Sequence, residues 1–478
     1  MSRIGDMRYS EHMFIIAPMF ILSTIFFANS VDGEVQQCKN VQMFSTGGIG
    51  SDVKLRFVDD ITSEVISICR TRRYRCVTVI SDSNTFPIAG NQLCRELRAD
   101  GIPMQSIILS GSRLFTDQQA VMSVLIDLNP VTDVIVAVGS GTITDIVRFI
   151  SHRKNIDFIS VPTAPSSDGY SSSSAPVMFR GYKRSFRCHA PISIVTSLAL
   201  LTEAPGAMIV AGFGNVVGKI TALADWKLAH LILDKPYDER IATRLRECCD
   251  GVLERTESVA KQDREGVRAL FEALNTAGEA VESFGSSDPA SGSEHHISHI
   301  VEMYKYAREQ PPTLHGIKVA LGTLIAAEWY SKLRNIDPDE LVTMVVEVPD
   351  WENDAVELRE LLGEAGAKIL ESNDYLQDLT QPRISQIRRR LLEKWEEVQT
   401  IARAVPDPDR IAAFLNRIGA PIHAVDIGLS GSEIRTAARL SHYVRSRFTI
   451  KTLFFSLGLD SSISAENPVV KDPTDDGV

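Results

Sequence analysis

The 478-residue sequence lacks several features that would point directly to a class of function. None of its seven cysteines forms a Cys-x-x-Cys pair, which argues against both a disulfide framework and a zinc ribbon. An excess of basic residues is also missing, because 50 lysines and arginines face 61 aspartates and glutamates, for a net charge of −11. This balance argues against nucleic acid as the main partner. We therefore expect reduced thiols and a small-molecule partner, which needs a local cationic pocket or a metal if it is an anion.

Long apolar runs are also scarce, with one exception at the N-terminus. Residues 13–31 carry no formal charge and follow Arg3 and Arg8. This pattern is compatible with a signal peptide, a short membrane anchor, or a leader sequence upstream of the true start. The whole chain has ordinary globular usage, with 44% hydrophobic and 23% charged residues. We therefore exclude residues 1–40 from the fold, and expect a cytoplasmic protein without stable membrane association.

Between residues 53 and 165 short apolar strands alternate with helical patterns. The predicted strands are 76–80, 106–109, 134–138 and 158–161. The predicted helices are 53–69, 89–99, 117–128 and 143–151. Continuous apolar strands separated by helices indicate a parallel sheet that is covered on both faces. The predicted fold class of residues 41–197 is therefore α/β, a doubly wound domain of the dinucleotide-binding type.

After a predicted β-hairpin (177–179 and 183–186), strand signals thin out and amphipathic helical patterns take over. The predicted helices are 214–233, 237–274, 298–309, 317–333, 356–365, 384–401 and 407–415. Residues 198–461 are therefore predicted to form an all-α domain. The remaining residues, 462–478, contain prolines and aspartates and are expected to be a disordered tail.

Polar loops follow three of the predicted strands, at residues 81–85, 139–142 and 162–169. Ligands of doubly wound sheets bind at the carboxyl ends of the strands, so these loops meet at one edge. The Gly-Ser-Gly-Thr turn at 139–142 would offer backbone N–H groups and a helix N-terminus to a pyrophosphate. Since it is not a complete Gly-x-Gly-x-x-Gly motif, a simple tight turn is the alternative. Three such loops on one edge favour a nucleotide site.

Histidine is rare, with ten in the whole chain, yet His295, His296 and His299 lie within five positions. On a helix His295 and His299 share one face, while His296 points elsewhere. A further histidine, His315, follows in Leu-His-Gly. Neutral imidazole is the commonest transition-metal ligand, so these residues are candidate metal ligands. The alternative is a pair of surface histidines on an amphipathic helix.

Six short motifs also occur in a fixed order. They are GTITD at 141–145, TAPSSDGY at 163–170, GFGN at 212–215, ALADWK at 222–227, SEH at 293–295 and LHG at 314–316. Together they resemble the glycerol-1-phosphate dehydrogenase family, especially its bacterial branch, within the superfamily of iron-type alcohol dehydrogenases and dehydroquinate synthases. The resemblance covers roughly residues 45–460. It implies an active site in the cleft between the two domains, where NADH or NADPH reduces dihydroxyacetone phosphate to sn-glycerol 1-phosphate.

The resemblance also implies roles for particular residues. The dinucleotide would be bound by Asp82, Gly141, Thr142, Ile143, Thr144, Asp145, Thr163, Ala164, Pro165, Ser166 and Ser172. A divalent metal (zinc, nickel or iron) would be bound by Asn215, His295 and His315. Asp168 and His299 would be the catalytic residues, able to relay a proton through water. A homodimer is expected.

Two positions depart from the family pattern. Asn215 stands where the family has a metal-binding aspartate, and an amide oxygen is a poorer ligand for zinc or nickel than a carboxylate. Asp288 stands where the family usually has arginine, which disfavours a phosphorylated substrate unless Asp288 merely caps a helix. Two alternatives therefore stay open: a nucleotide-binding homologue that has lost its chemistry or changed its substrate, and a lyase like dehydroquinate synthase.

Overall fold

The computed structural model of the chain describes residues 54–111, 114–345, 347–373 and 378–471. Within these ranges there are eight strands: β1 (Lys54–Phe57), β2 (Val77–Asp82), β3 (Met104–Leu109), β4 (Val134–Gly139), β5 (Asp157–Pro162), β6 (Ser174–Phe179), β7 (Tyr182–Arg187) and β8 (Ser193–Thr196). Six of them make one parallel sheet in the order β1-β8-β5-β4-β2-β3, while β6 and β7 form an antiparallel hairpin. The predicted parallel sheet and the predicted hairpin are therefore confirmed.

Helices cover both faces of this sheet. They are α1 (Ile61–Arg72), a π-helical turn (Phe86–Gly90) that leads into α2 (Asn91–Ala99), α3 (Gln118–Asp127) and α4 (Gly141–Lys154). Every residue of β4 is buried, and alternate side chains serve the two faces. Val136 belongs to the same apolar cluster as Val65 of α1, whereas Ile135 belongs to the cluster that contains Ile146 of α4. The continuous apolar run of β4 is thus explained by burial on both sides.

The prediction of a helix over residues 53–69 is wrong at its beginning. Lys54–Phe57 forms the edge strand β1, which pairs with β8 in the register Leu55↔Ile194. Both strands are four residues long, and β1 alternates charged with apolar side chains. Such short segments carry little intrinsic strand signal, so the pairing between them decides their conformation.

The described residues from 198 onward are mainly helical, as predicted, although several helices are shorter than expected. The helices are α5 (Leu198–Thr202), α6 (Gly206–Val217), α7 (Lys219–Leu233), α8 (Glu239–Glu254), α9 (Thr256–Ala260), α10 (Arg264–Phe284), α11 (Ser293–Ala307), α12 (His315–Arg334), α13 (Pro338–Thr343), α14 (Glu352–Leu362), α15 (Glu364–Glu371), α16 (Gln381–Glu393), α17 (Trp395–Ala404), α18 (Pro408–Arg417), α19 (Gly431–Leu440) and α20 (Ile450–Leu457). The predicted helix 237–274 is in fact interrupted twice. No helix was predicted for α5, α13, α19 and α20, or for most of α6 and α15. By length and composition alone, the segment Gly206–Leu233 could cross a membrane. However, 78% of its most apolar window is buried inside the fold.

The prediction of a disordered tail from residue 462 is wrong over residues 462–471. Ser464 N donates a hydrogen bond to Glu328 Oε1 (2.8 Å), and Asn467 Nδ2 donates to Glu328 Oε2 (2.7 Å). Val469 is buried, so this segment packs on α12. Amino-acid composition did not predict this packing, because a few anchoring contacts are sufficient to order a polar segment. Residues 472–478 and the predicted leader, residues 1–40, lie outside the described residues, and the domain boundary at 197/198 stays a prediction.

His442 is a buried histidine of the helical part, packed between aromatic rings. Its ring centroid lies 3.9 Å from that of Tyr443 and 4.1 Å from that of Phe455. Burial lowers the pKa of His442 well below its ordinary value of 6.5. The unfolded chain therefore binds a proton below about pH 6.5 that the folded chain does not, and the free energy of unfolding falls as the pH is lowered through this range.

We expect His442→Phe, which keeps an aromatic ring of similar size, to reduce this acid sensitivity. Below pH 6.5 the free energy of unfolding of the variant should fall less steeply, by about 1.4 kcal/mol per pH unit, because one titrating group is removed. Urea unfolding of both proteins at pH 7.0, 6.0 and 5.0 measures this. Parallel pH profiles of the two proteins would mean that His442 is protonated in the folded state as easily as in the unfolded state.

Candidate active site

A cavity of about 300 Å³ opens where the carboxyl edge of the sheet meets the helices. Nine residues predicted from the sequence line it: Gly141, Thr142, Asp145, Ser166, Asp168, Ser172, His295, His299 and His315. Seven others do not reach its wall: Asp82, Ile143, Thr144, Thr163, Ala164, Pro165 and Asn215. The fold therefore brings the glycine turn and the histidines, which are about 150 positions apart in the sequence, to one cavity.

The glycine turn connects β4 to α4. Gly141 is the first residue of α4, and a Cβ atom at this position would lie 3.1 Å from the Ser167 side chain. Ile143 points into the core, and the hydroxyl of Thr144 donates to the backbone oxygen of Ser140 (3.1 Å). The backbone N–H of Thr144 also donates to Ser140 O (3.1 Å), so the N–H groups of the first helical turn that have no partner within the helix are those of Gly141, Thr142 and Ile143. Such groups and the helix dipole favour an anion.

Asp82 ends β2 at the same edge of the sheet. Its Oδ1 atom accepts hydrogen bonds from the N–H groups of Asn84 (2.8 Å) and Thr85 (2.9 Å). The hydroxyl of Thr85 in turn donates to the backbone oxygen of Val138 in β4 (2.9 Å). The Asp82 turn is therefore held against the strand that leads into the glycine turn.

The loop after β5, residues 163–172, is fastened at several points. Thr163 N donates to Gly139 O (3.2 Å), and the hydroxyl of Tyr170 donates to Ala164 O (2.7 Å). The hydroxyl of Ser171 donates to the backbone oxygen of Asn275 in α10 (2.8 Å). These bonds connect the loop to the sheet and to the helical part, so that Ser166, Asp168 and Ser172 are presented to the cavity by a fixed backbone.

Two glycines of the sequence motifs allow backbones to meet around the cavity. A Cβ atom at Gly212 of α6 would lie 1.8 Å from the backbone oxygen of Pro165. A Cβ atom at Gly316 of α12 would lie 1.6 Å from the backbone oxygen of Ala211. No side chain fits at such distances, so glycine is required at both positions. The contact at Gly316 fixes the start of α12 and thereby the position of His315.

The histidines come from the first two turns of α11 and from the first residue of α12. The ring centroids of His295 and His315 are 5.2 Å apart, and that of His299 lies 6.4 Å from His295 and 6.5 Å from His315. His296 is fully buried and does not line the cavity. The helical register predicted from the spacing is therefore what the structure has. The alternative of a pair of surface histidines is excluded, because His295, His296 and His299 are buried and His315 is half-buried.

A buried network holds the beginning of α11 in place. Asp225 Oδ2 accepts hydrogen bonds from both N and Oγ of Ser293 (2.7 Å each). Glu294 Oε1 lies 2.6 Å from His295 Nδ1, and its Oε2 accepts from the hydroxyl of Thr221 (2.7 Å). Because Glu294 engages Nδ1, the Nε2 atom of His295 is left for the cavity. The motifs ALADWK and SEH thus act together to orient one imidazole.

Lys219, which sequence reasoning missed, lies beside the predicted metal ligand Asn215. The ammonium group of Lys219 is 2.6 Å from Asp168 Oδ2, 2.7 Å from Ala290 O and 3.2 Å from Asn215 Oδ1. Asn215 is fully buried, and its Nδ2 atom has no partner within the described part of the chain. The amide oxygen predicted to bind a metal therefore accepts a hydrogen bond from a lysine.

Burial makes the cavity histidines neutral, whereas an adjacent cation keeps the aspartate ionised. Burial lowers the pKa of His295, His299 and His315 well below the ordinary value, and the charge of Lys219 or Lys183 adds to the effect. Burial alone would raise the pKa of Asp168, but the adjacent ammonium of Lys219 outweighs it and holds this pKa well below its usual range. At neutral pH the cavity thus contains imidazoles with free lone pairs beside a carboxylate.

Three further cations line the cavity, although nothing in the sequence indicates that they belong together. They are Lys183 of β7, Lys318 of α12 and Arg445, which follows α19. Both lysine ammonium groups lie 2.7 Å from Glu302 Oε2. These residues come from separate elements and share no spacing, so only the folded chain shows that they form one cluster.

The unexpected acid Asp288 does not face this cavity. Its Oδ1 atom lies 3.1 Å from Arg447 Nε, and its side chain also accepts a hydrogen bond from the hydroxyl of Ser286. The hypothesis that Asp288 caps a helix is wrong, because the residue before α11 is Gly292. The charge of Asp288 is neutralised by an arginine, and the predicted conflict with a phosphorylated substrate is thereby weakened.

Comparisons with known proteins agree with this architecture. A family model described as iron-containing alcohol dehydrogenase matches residues 56–205. Among solved structures, a probable glycerol dehydrogenase from Sinorhizobium meliloti superposes with a TM-score of 0.54 at 17% identity, covering 86% of this chain and 97% of the other. An iron-containing alcohol dehydrogenase from Corynebacterium glutamicum has a TM-score of 0.54 at 14% identity, covering 90% and 99%. The fold is therefore that of the iron-containing alcohol dehydrogenase superfamily.

Sequence relatives narrow this class further. The glycerol-1-phosphate dehydrogenase [NAD(P)+] of Geobacillus thermodenitrificans is 31% identical over 392 residues, which cover 81% of this chain and 88% of the relative. The enzyme of the same name from Bacillus subtilis is 32% identical over 376 residues, covering 78% and 83%. The chain belongs to the glycerol-1-phosphate dehydrogenase family.

Proposed function

We propose that the protein is an NAD(P)-linked, metal-dependent dehydrogenase that reduces dihydroxyacetone phosphate to sn-glycerol 1-phosphate. The observation that carries this proposal is the meeting of the glycine turn and the histidine pair at one cavity. A helix N-terminus there suits the dinucleotide pyrophosphate, while the histidines and cations suit a phosphorylated ketone. The names of the sequence relatives support the same reaction. A homodimer and a cytoplasmic location stay predictions.

The residues present fit a divalent metal, with one weak point. His295 and His315 would hold it, since both are neutral, face the cavity and have ring centroids 5.2 Å apart. Glu294 orients His295 as outer-shell carboxylates orient metal-binding histidines. Over the described ranges, however, no three His, Cys, Asp or Glu side chains form a cation site, so the third ligand would be Asn215 or water. When bound, zinc, nickel or iron supplies Lewis acidity that stabilises negative charge on the ketone oxygen.

The protein side chains provide orientation and a proton path. The bound dinucleotide would supply the hydride that reduces the ketone carbon, and the ketone oxygen would then need a proton. Asp168 is ionised and held by Lys219 at 2.6 Å, so it accepts hydrogen bonds from a substrate hydroxyl but has no proton to give. His299 is neutral, and its Nδ1 atom has no partner within the described part of the chain. We therefore assign the proton relay through water to His299.

Product analysis tests the proposal directly. Purified protein is incubated with NADH or NADPH, dihydroxyacetone phosphate and, in turn, zinc, nickel or iron. Enzymes specific for each glycerol phosphate enantiomer then identify the product. We expect sn-glycerol 1-phosphate, and loss of activity after chelation that added metal restores. Dinucleotide binding without turnover under every metal condition would instead favour a homologue that has lost its chemistry.

Dinucleotide binding should depend on the glycine turn. We expect Gly141→Val to weaken NADH binding by about tenfold, because the side chain would cover the N–H groups of the first turn of α4 and push against Ser167. Fluorescence titration of NADH measures this. Gly251→Val in α8 is the control, since the nearest atom to a Cβ atom there is 3.7 Å away on a flexible arginine. Full NADH affinity in folded Gly141→Val would refute the assignment.

A further inference from the structure

The charged groups that line the cavity do not balance. Asp145 is paired with Arg148, and Asp168 is paired with Lys219, so these two carboxylates are each neutralised by one cation. Glu302 is the remaining carboxylate, and it lies 2.7 Å from the ammonium groups of both Lys183 and Lys318. One negative charge thus faces two positive charges in a buried position.

Arg445 adds a second uncompensated positive charge. One of its terminal nitrogens donates to the hydroxyl of Ser185 (2.8 Å) and the other lies 3.3 Å from the hydroxyl of Ser287. Within the described residues no carboxylate lies close enough to form an ion pair with it. Ser185 is two residues from Lys183 on β7, so both side chains stand on the same face of the strand. Arg445 therefore contacts the strand face that carries Lys183, and Lys318 is linked to Lys183 through Glu302.

The loop that carries Arg445 is fixed by its neighbour Arg447. Arg447 Nε lies 3.1 Å from Asp288 Oδ1, and a terminal nitrogen of Arg447 donates to the hydroxyl of Ser287 (2.9 Å). Asp288 thus holds the arginine loop against residues 286–291. The charge of Asp288 was expected to oppose an anionic substrate. Instead, Asp288 acts indirectly, because it positions the segment that brings Arg445 to the cavity.

We propose that Arg445, Lys183 and Lys318 form the binding site for the phosphate group of the substrate. This inference rests on the proposed function and names the residues that recognise the phosphomonoester. The three cations and Glu302 leave a net charge of about +2, which matches a phosphomonoester dianion near neutral pH. A chain with a net charge of −11 would otherwise repel such a ligand.

The geometry of Arg445 suits this role. A guanidinium group can donate two parallel hydrogen bonds to a phosphate, and its present partners are hydroxyl groups. Exchanging a hydroxyl for a charged phosphate oxygen strengthens these bonds, whereas an arginine already paired with a carboxylate would gain little. The hydroxyl groups of Ser185 and Ser287 stay available as additional donors to the same phosphate.

Steady-state kinetics of Arg445→Gln and Arg445→Lys test this site. We expect Arg445→Gln to raise the KM for dihydroxyacetone phosphate by at least about tenfold and to leave the KM for NADH unchanged. Arg445→Lys should recover part of the loss, because it keeps the charge but not the paired donors. Arg244→Gln, at an exposed arginine paired with Glu279 (2.9 Å), is the control for losing one positive charge. Unphosphorylated dihydroxyacetone should be used equally poorly by all four proteins.

Isothermal titration with inorganic phosphate separates failure of this site from failure of the proposed function. If the protein reduces no ketone, phosphate should still bind to wild type and to Arg244→Gln, and at least about tenfold more weakly to Arg445→Gln. If wild type reduces dihydroxyacetone phosphate but Arg445→Gln changes neither the KM nor phosphate binding, the site is refuted while the function stands. A fall in kcat at constant KM would likewise overturn a role in phosphate binding.

Discussion

His295→Ala is expected to abolish metal binding and with it nearly all turnover. The imidazole is buried, neutral and oriented by Glu294, whose Oε1 atom lies 2.6 Å from Nδ1. Its removal takes away one of the two proposed histidine ligands. Metal content should fall to background, and the rate with dihydroxyacetone phosphate should fall by about a thousandfold, or about 4 kcal/mol in the activation barrier. Elemental analysis of the purified variant and a steady-state assay measure the two effects.

His296→Ala is the matched control for this experiment. His296 is the next residue of the same helix, is also buried, and does not line the cavity. Both substitutions leave a cavity of similar size, so both should lower the melting temperature, but only His295→Ala should lose metal. Loss of metal in His296→Ala with retention in His295→Ala would show that the wrong face of α11 has been assigned to the cavity.

Much of the sheet could be predicted because burial on both faces demands continuous apolar strands, as in β4. β1 and β8 could not, because each has four residues and depends on the other for its hydrogen bonds. Helix ends were harder to place within the long apolar pattern of residues 237–274, where the break before α10 comes from local capping and the break before α9 has no side-chain cap. Asp263, for example, ends one segment and accepts the N–H of Gly266 (2.8 Å) to begin the next.

The residues of the candidate site also fall into two groups, those that the sequence predicted and those that it did not. His295, His299 and His315 could be found from spacing and from motifs, since each lies in a short segment with a recognisable order. Lys219 and Arg445 could not, because a single lysine at a helix start or an arginine in a loop looks like any solvated cation. Only the folded structure shows that Lys219 is buried against Asp168 and that the half-buried Arg445 lines the cavity.

Asn215→Asp should raise the metal affinity by about a hundredfold, or about 2.7 kcal/mol. The exchange changes almost no volume, so it tests charge rather than packing. In the wild type the Asp168–Lys219 pair is balanced and the histidines are neutral, so a divalent ion meets little opposite charge near Asn215. The new carboxylate has to compete with the lysine ammonium, 3.2 Å from the present amide oxygen, which keeps the expected gain well below the unscreened Coulomb value.

Competition against a chromophoric chelator measures this affinity without any assay of turnover. Asn275→Asp is the control, because it adds the same charge to another buried asparagine, whose side-chain amide donates to Phe271 O (2.8 Å) instead of contacting Lys219. A gain with Asn275→Asp equal to that with Asn215→Asp would mean that any buried carboxylate attracts the metal. No gain with Asn215→Asp would place position 215 outside the ligand shell and leave water to complete it. A gain in metal affinity with unchanged turnover would mean that weak metal binding does not limit the reaction. Phosphate binding by Arg445, Lys183 and Lys318 would then be the next step to test.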